Sequence, residues 1–288
     1  MPDSLPLARL PDAGAHSAWQ AELRLGFALH DGVSRLVERT HSGPLRVQKP
    51  LYPEGDGVCH AIIIHPPGGV VGGDQLQVDA TVGDGAHAVL TSPGAAKWYR
   101  ANGHVSGQRV ALRAGAGASI EWLPQESIFF DQACVRLRHE VELAADASYI
   151  GLDIVCLGRS ASGESFRTGS IAQHTQIHRG GKLLWWEQGV LAAGGPLMKS
   201  ALGMAGQTVC ATLIAVGAPV PAQVLAALRG IAVPDGAQFG ATQMKAVLVV
   251  RLLCSDSEAA RRVMLAAWQL VRPALLGRAA VIPRIWNT

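Results

Sequence analysis

The sequence predicts a mainly β protein made of stacked sheets, with about two α-helices near the C-terminal part. Three observations carry that prediction. Short stretches alternate apolar and polar residues, and a period of two sends successive side chains to opposite faces of a strand. Glycine and proline punctuate these stretches about every 8–12 residues, a spacing typical of large all-β architectures. Helical spacing, finally, is found only late in the chain.

Taken in order, Ala21-Glu22-Leu23-Arg24-Leu25 is the first half-exposed strand. Ala61 to Ile64 is apolar on both faces, which predicts a central strand covered on both sides. Arg109 to Arg113 and Val135 to Arg138 alternate again, and Tyr149 to Leu157 is a second doubly apolar run. Gly55-Asp56-Gly57, Gly83-Asp84-Gly85, Gly115-Ala116-Gly117 and Gly180-Gly181 mark turns between them. Pro221 opens a helix whose Val224, Leu225 and Leu228 share a face. A second helix follows Ser255-Asp256-Ser257-Glu258, which reads as a capping box. Its apolar positions are Ala260, Met264, Ala267, Trp268 and Val271, and Pro273 is expected to end it. Residues 1–18 form a Pro-rich arm, and residues 19–288 read as one β-rich domain.

The 288 residues can bury roughly three quarters of the unfolded surface, so folding needs neither disulfide nor metal. The net charge of +3 is too small for a nucleic-acid binder, which carries a basic stripe or a large excess of Lys and Arg. No apolar run has the length of a signal peptide or membrane helix, so the expected location is cytoplasmic. The five cysteines are widely separated and form no C-x-x-C, which argues against a zinc ribbon or a redox pair. Charged residues make up only 16%, where about 25% is usual.

Few motifs suggest chemistry. His65-Pro66-Pro67-Gly68-Gly69-Val70-Val71-Gly72-Gly73-Asp74 lacks the Gly-Lys-Ser/Thr ending of a phosphate loop. It reads as turns with Asp74 bonding turn amides, or with Asp74 lining an interior channel. His174 and His178 fall on a strand, where four residues span about 13 Å, too far for two ligands of one ion. Cys59 and His60 are the other metal pair to consider, but strand neighbours point to opposite faces. No nucleophile elbow or triad order is present.

Two acids are harder to place. Asp153 interrupts the apolar run Ile150 to Leu157, and Glu187 ends Leu183-Leu184-Trp185-Trp186. A carboxylate in such a setting costs several kcal/mol unless it is paired, hydrogen-bonded or wetted. Either an arginine such as Arg159 or Arg167 pairs with them, or they line a water-filled passage whose oxygen ligands attract a divalent cation without holding it tightly.

Longer strings carry a resemblance. Trp19-Gln20-Ala21-Glu22-Leu23, Gly43 to Pro50 and Tyr52-Pro53-Glu54-Gly55 run in order, followed by His65 to Asp74 and Pro93 to Arg100. Glu121 to Glu126, Cys156-Leu157-Gly158-Arg159, Ser162-Gly163-Glu164 and Pro283-Arg284-Ile285-Trp286-Asn287-Thr288 complete the set. Over about residues 19–288 the chain resembles the urease accessory protein family UreD, also called UreH. Trp98 stands where that family often has Phe, and Gly194 to Gly206 departs from its pattern.

The resemblance implies a large layered or helical stack of β-strands and a non-enzymatic role in maturing urease, a nickel enzyme. It implies apo-urease and UreF as partners, with the GTPase UreG reached through UreF. It also implies an interior route for nickel, with transient Ni2+ and no tightly bound cofactor. Asp74, Asp153 and Glu187 are the residues expected to line that route. Pro283 to Thr288 and the two late helices are expected to dock UreF, because apolar Ile285 and Trp286 lie in that terminal segment and aromatic residues are enriched at interfaces. The competing classes are a β-fold enzyme acting on a small substrate and a purely structural adaptor without metal contact.

Overall fold

A computed structural model of the chain describes residues 18–287. The Pro-rich arm, apart from Ala18, and the terminal Thr288 lie outside the described residues. The strands are, in chain order, Gln20–His30 (β1), Val33–Ser42 (β2), Arg46–Val47 (β3), Cys59–Ile64 (β4), Gln75–Val82 (β5) and His87–Thr91 (β6). Next come Ala96–Trp98 (β7), Ser106–Ala114 (β8), Ser119–Leu123 (β9), Ser127–Phe129 (β10), Cys134–Leu143 (β11) and Ser148–Leu157 (β12). Ser170–Arg179 (β13), Lys182–Ala192 (β14), Val209–Val216 (β15), Gln238–Met244 (β16) and Val247–Cys254 (β17) follow. The helices are Pro196–Lys199 (α1), Ala222–Arg229 (α2) and Ser257–Leu276 (α3).

The strands are shared between two sheets, ordered β14-β13-β11-β8-β5-β1-β2 and β16-β17-β15-β12-β9-β6-β4-β3, with β10 pairing in parallel to β12 and β7 and joining both to the second sheet. Between β4 and β13 the chain alternates from one sheet to the other, and successive strands within each sheet pair in parallel. This is a β-solenoid of stacked coils, each contributing one strand to each sheet. Antiparallel hairpins close the first sheet at β2 and β14, and β15, β17 and β16 extend the second antiparallel.

Glycine is needed where the coils turn and touch. The turns at Gly83–Gly85 and Gly115–Gly117 stack: Gly85 N donates to Ala116 O at 2.8 Å, and Asp84 accepts from Ala116 N at 2.8 Å. The next coil continues this ladder, with Asp146 accepting from Gly117 N at 2.9 Å. On the His65–Asp74 string, a Cβ on Gly72 would lie 1.7 Å from the carbonyl oxygen of Ala101, so only glycine fits that coil contact.

Two apolar layers result. One lies between the sheets and includes Leu23, Phe27, Leu112, Tyr149 and Val155. The other lies between the second sheet and helices α2 and α3, and includes Ile150, Leu152, Ile154, Val250 and Trp268. The second sheet is thus covered on both faces, which explains the doubly apolar runs of β4 and β12. Trp98 keeps the packing role expected of an aromatic there: it is fully buried and stacks on Phe129 at 5.9 Å.

Several boundaries differ from expectation. The α3 N-cap is Asp256, whose carboxylate accepts from Glu258 N and Ala259 N; Ser255 instead donates to Gln207. Asp256 sits at the N-cap and its carboxylate takes both orphan amides. The third helical position is Ala259, whose methyl group cannot reach back, so no capping box forms. Pro273 lies inside α3, which continues to Leu276 before Gly277 turns left-handed as its C-cap. A third, short helix, α1, was not expected.

Candidate functional site

A cavity of about 510 Å³ lies between the sheets and is lined by both. Its polar wall follows from strand register. Asp153 on β12 pairs with Thr212 on β15, and Thr212 pairs with Arg251 on β17. Residues opposite one another in antiparallel strands share a face, so these three form one row facing the cavity. Gln173 on β13 and Glu187 on β14 approach it from the other sheet.

Hydrogen bonds cross the cavity. Arg251 Nη2 lies 2.9 Å from each Glu187 carboxylate oxygen, and Arg251 Nε donates to Thr212 Oγ1 at 3.1 Å. Gln173 Nε2 reaches Asp153 Oδ2 at 3.4 Å, a weak bond. Nearby, His139 Nε2 and the Tyr149 hydroxyl share a hydrogen bond of 2.9 Å.

Burial sets the electrostatics. It pushes the Asp153 carboxyl up to about 6, the neighbouring Glu187 charge adding to the effect and the Gln173 amide opposing it. Burial also lowers His139 to about 4, so its imidazole is neutral at ordinary pH. The Cys210 thiol, also on the cavity wall, is raised to about 11 by burial and is not a thiolate near neutrality. The site therefore presents two carboxylates with a guanidinium set against one of them. Two oxygen donors suit weak attraction of a hard or borderline divalent cation better than tight chelation. Among the described residues, no group of three or more His, Cys, Asp or Glu is arranged to hold a metal ion.

The structure brings Asp153 and Glu187 together but places Asp74 apart from them. Asp74 is buried at a coil corner and accepts from Trp19 N at 2.9 Å and from Val71 N at 3.1 Å. Its carboxylate is occupied by turn amides and is not on the cavity wall. Cys59 and His60 point to opposite faces of β4: Cys59 joins the layer between the sheets, while His60 donates to Glu54 at 2.7 Å. His174 and His178 sit on strand β13, where His174 packs edge-on against Trp186 and His178 pairs with Glu142 at 3.1 Å.

The setting of Glu187 differs from its apolar sequence neighbourhood. Strand β14 is a sheet edge, with Leu183, Trp186 and Val190 exposed, and Glu187 points from it into the cavity mouth. Neither Arg159 nor Arg167 pairs with the two acids; Arg159 pairs with Glu164, and the partner of Glu187 is Arg251. At the C-terminus, Trp286 donates to Thr91 Oγ1 at 2.7 Å and packs on Trp268 at 6.0 Å, so its ring belongs to the chain's own packing. Ile285 beside it is half-buried.

Sequence reasoning missed Arg251, Gln173 and Thr212. It also missed a buried cluster in which Arg272 joins Glu54 and Glu121, with His60 and His87 as further partners. Arg251 carries the same signal as Asp153, a charge that interrupts an apolar strand.

Comparison with known proteins adds the family context. The family model described as UreD urease accessory protein matches residues 20–287. A urease accessory protein UreD of Janthinobacterium sp. (strain Marseille) is 61% identical over 271 residues, covering 93% of this chain and 92% of that protein. The UreD of Nitrosospira multiformis is 53% identical, covering 94% of this chain and 99% of its own length. The UreD of Dechloromonas aromatica is 50% identical over 286 residues, 98% of this chain and 99% of that protein.

Proposed function

Because the chain belongs to the UreD family of urease accessory proteins, we propose that it serves urease maturation as a non-catalytic scaffold in the cytoplasm. In this reading it binds apo-urease and UreF, with UreG recruited through UreF, and its interior cavity conducts nickel toward the urease active site. Nickel here is cargo, not a resident cofactor.

The observation that supports the passage is the placement of Asp153 and Glu187 on facing sheets of one cavity. A cavity of about 510 Å³ is large enough to hold water, and its one polar row gives that water hydrogen-bond partners. Two carboxylates in it would lower the cost of bringing a divalent cation between the sheets without trapping it. The raised thiol of Cys210 and the neutral His139 give the cavity wall no activated nucleophile, which favours conduction over catalysis. Asp74 is proposed to support the route indirectly, by fixing the coil corner that joins Trp19 to Val71.

Glu187→Gln tests the passage within the assembled complex. It should leave co-purification with UreF and apo-urease intact while lowering urease activation at limiting nickel. Full activation by that variant would favour the adaptor reading, in which the protein has no metal contact.

A further inference from the structure

The Arg251–Glu187 pair is placed oddly for a purely structural bond. It joins the two sheets at the cavity mouth, from an edge strand on one side and the strand next to the edge on the other. Both side chains are partly open to solvent, 41% for Arg251 and 36% for Glu187. Pairs this exposed contribute about 0–1 kcal/mol, so fold stability does not account for the arrangement. What the pair does is neutralise Glu187. One guanidinium nitrogen contacts both carboxylate oxygens, leaving no unopposed negative charge at the mouth.

The same guanidinium has a second anchor. Its Nε bonds Thr212 Oγ1, and Thr212 stands in the row between Arg251 and Asp153. If Glu187 turned to another cation, Arg251 would keep that hydrogen bond on its own sheet. The arrangement therefore has two usable states: Glu187 held by Arg251, or Glu187 free to bind a cation while Arg251 rests on Thr212.

We propose that Arg251 is an internal counter-cation that competes with the divalent cargo for Glu187, and so keeps the affinity of the passage low. This rests on the passage reading given above. A divalent ion carries twice the charge of a guanidinium and approaches a carboxylate oxygen more closely, so it can displace Arg251. Once it moves on, the arginine returns and the mouth is neutral again. Arg251 is thus a positioning residue: it acts on the cargo through Glu187.

The test is equilibrium dialysis of the purified full-length chain against Ni2+ at neutral pH, with a thermal melt of each variant. Arg251→Gln should bind Ni2+ on the order of tenfold more tightly than the unsubstituted chain. The double variant Arg251→Gln/Glu187→Gln should lose that gain, and Arg251→Lys, which keeps the charge, should stay near the original affinity. A merely structural bond would not raise metal affinity when broken. If Arg251→Gln binds no more tightly, or the double variant keeps the gain, the proposal is overturned. The passage itself is judged separately by nickel delivery in Asp153→Asn. Impaired delivery there, with no gain in Arg251→Gln, would reject the counter-cation and leave the passage standing.

Discussion

Arg272, on the last helix, and Glu121, on strand β9 of the second sheet, form a 2.9 Å ion pair with neither side chain exposed. Glu54 holds the other side of the guanidinium at 2.7 and 2.9 Å, and His87 and Trp268 donate to Glu121. The carbonyl of Ala279 accepts from the same arginine. One side chain therefore ties α3, the second sheet, the segment before β4 and the C-terminal segment together.

Arg272→Met should cost about 3–5 kcal/mol of unfolding free energy, because it strands two buried carboxylates without their cation. Urea unfolding measures this. A loss below about 1 kcal/mol would show that the cluster is not holding the helix to the sheet.

The same cluster sets a pH dependence. Burial alone would raise Glu54, but hydrogen bonds from His60 and Arg272 outweigh it and bring the carboxyl down to about 2. A folded-state value below the unfolded one contributes stability that is complete above the unfolded pKa of about 4.5 and is lost as pH falls toward 2. Melts between pH 2 and 6 should show that loss in the unsubstituted chain, and Glu54→Gln should flatten it. A Glu54→Gln curve as steep as the original would contradict this assignment.

Asp153 has the opposite sign. Its carboxyl is raised from 3.8 to about 6, so the folded state binds more protons in that window and stability declines as pH rises through it. Above pH 6 the ionised group costs roughly 3 kcal/mol, since each pKa unit is worth about 1.4 kcal/mol. Asp153→Asn should therefore melt at or above the temperature of the unsubstituted chain at neutral pH. A lower melting temperature would mean that the carboxylate is compensated by bonds the structure does not show.

At the C-terminus, neighbouring residues should separate packing from docking. Trp286→Ala should cost about 2 kcal/mol by emptying the space beside Trp268 and breaking the bond to Thr91. Ile285→Ser should change the melt by less than about 1 kcal/mol yet reduce retention of UreF. Undiminished UreF retention by Ile285→Ser would remove Ile285 from the proposed UreF surface.

How much of this was legible in the residues depends on how local each signal is. The alternation at Ala21–Leu25 and the doubly apolar run at Tyr149–Leu157 gave strands and their burial, because side-chain period depends on neighbours alone. Asp153 was found because a charge within an apolar strand demands compensation. Its surroundings were not, since Arg251 lies 98 positions away and only sheet register brings the two into one row. Apolar Leu183, Trp185 and Trp186 point to burial for Glu187, yet β14 forms a sheet edge and leaves that side chain 36% exposed. Asp74 shows the converse: its Gly-Gly-Asp context predicted both a turn and a channel, and the turn amides hold it. The low charge content fits a chain whose exposed Leu183, Trp186 and Val190 leave apolar surface uncovered.

An interior nickel passage stands or falls on the nickel content of urease matured with Asp153→Asn. The variant is expected to fold at least as stably and to assemble with apo-urease and UreF as before. At limiting nickel, loss of the Asp153 charge should give urease with clearly less metal per active site and proportionally lower activity. Urease filled with nickel as completely as by the unsubstituted protein, from a complex of the same composition, would contradict it.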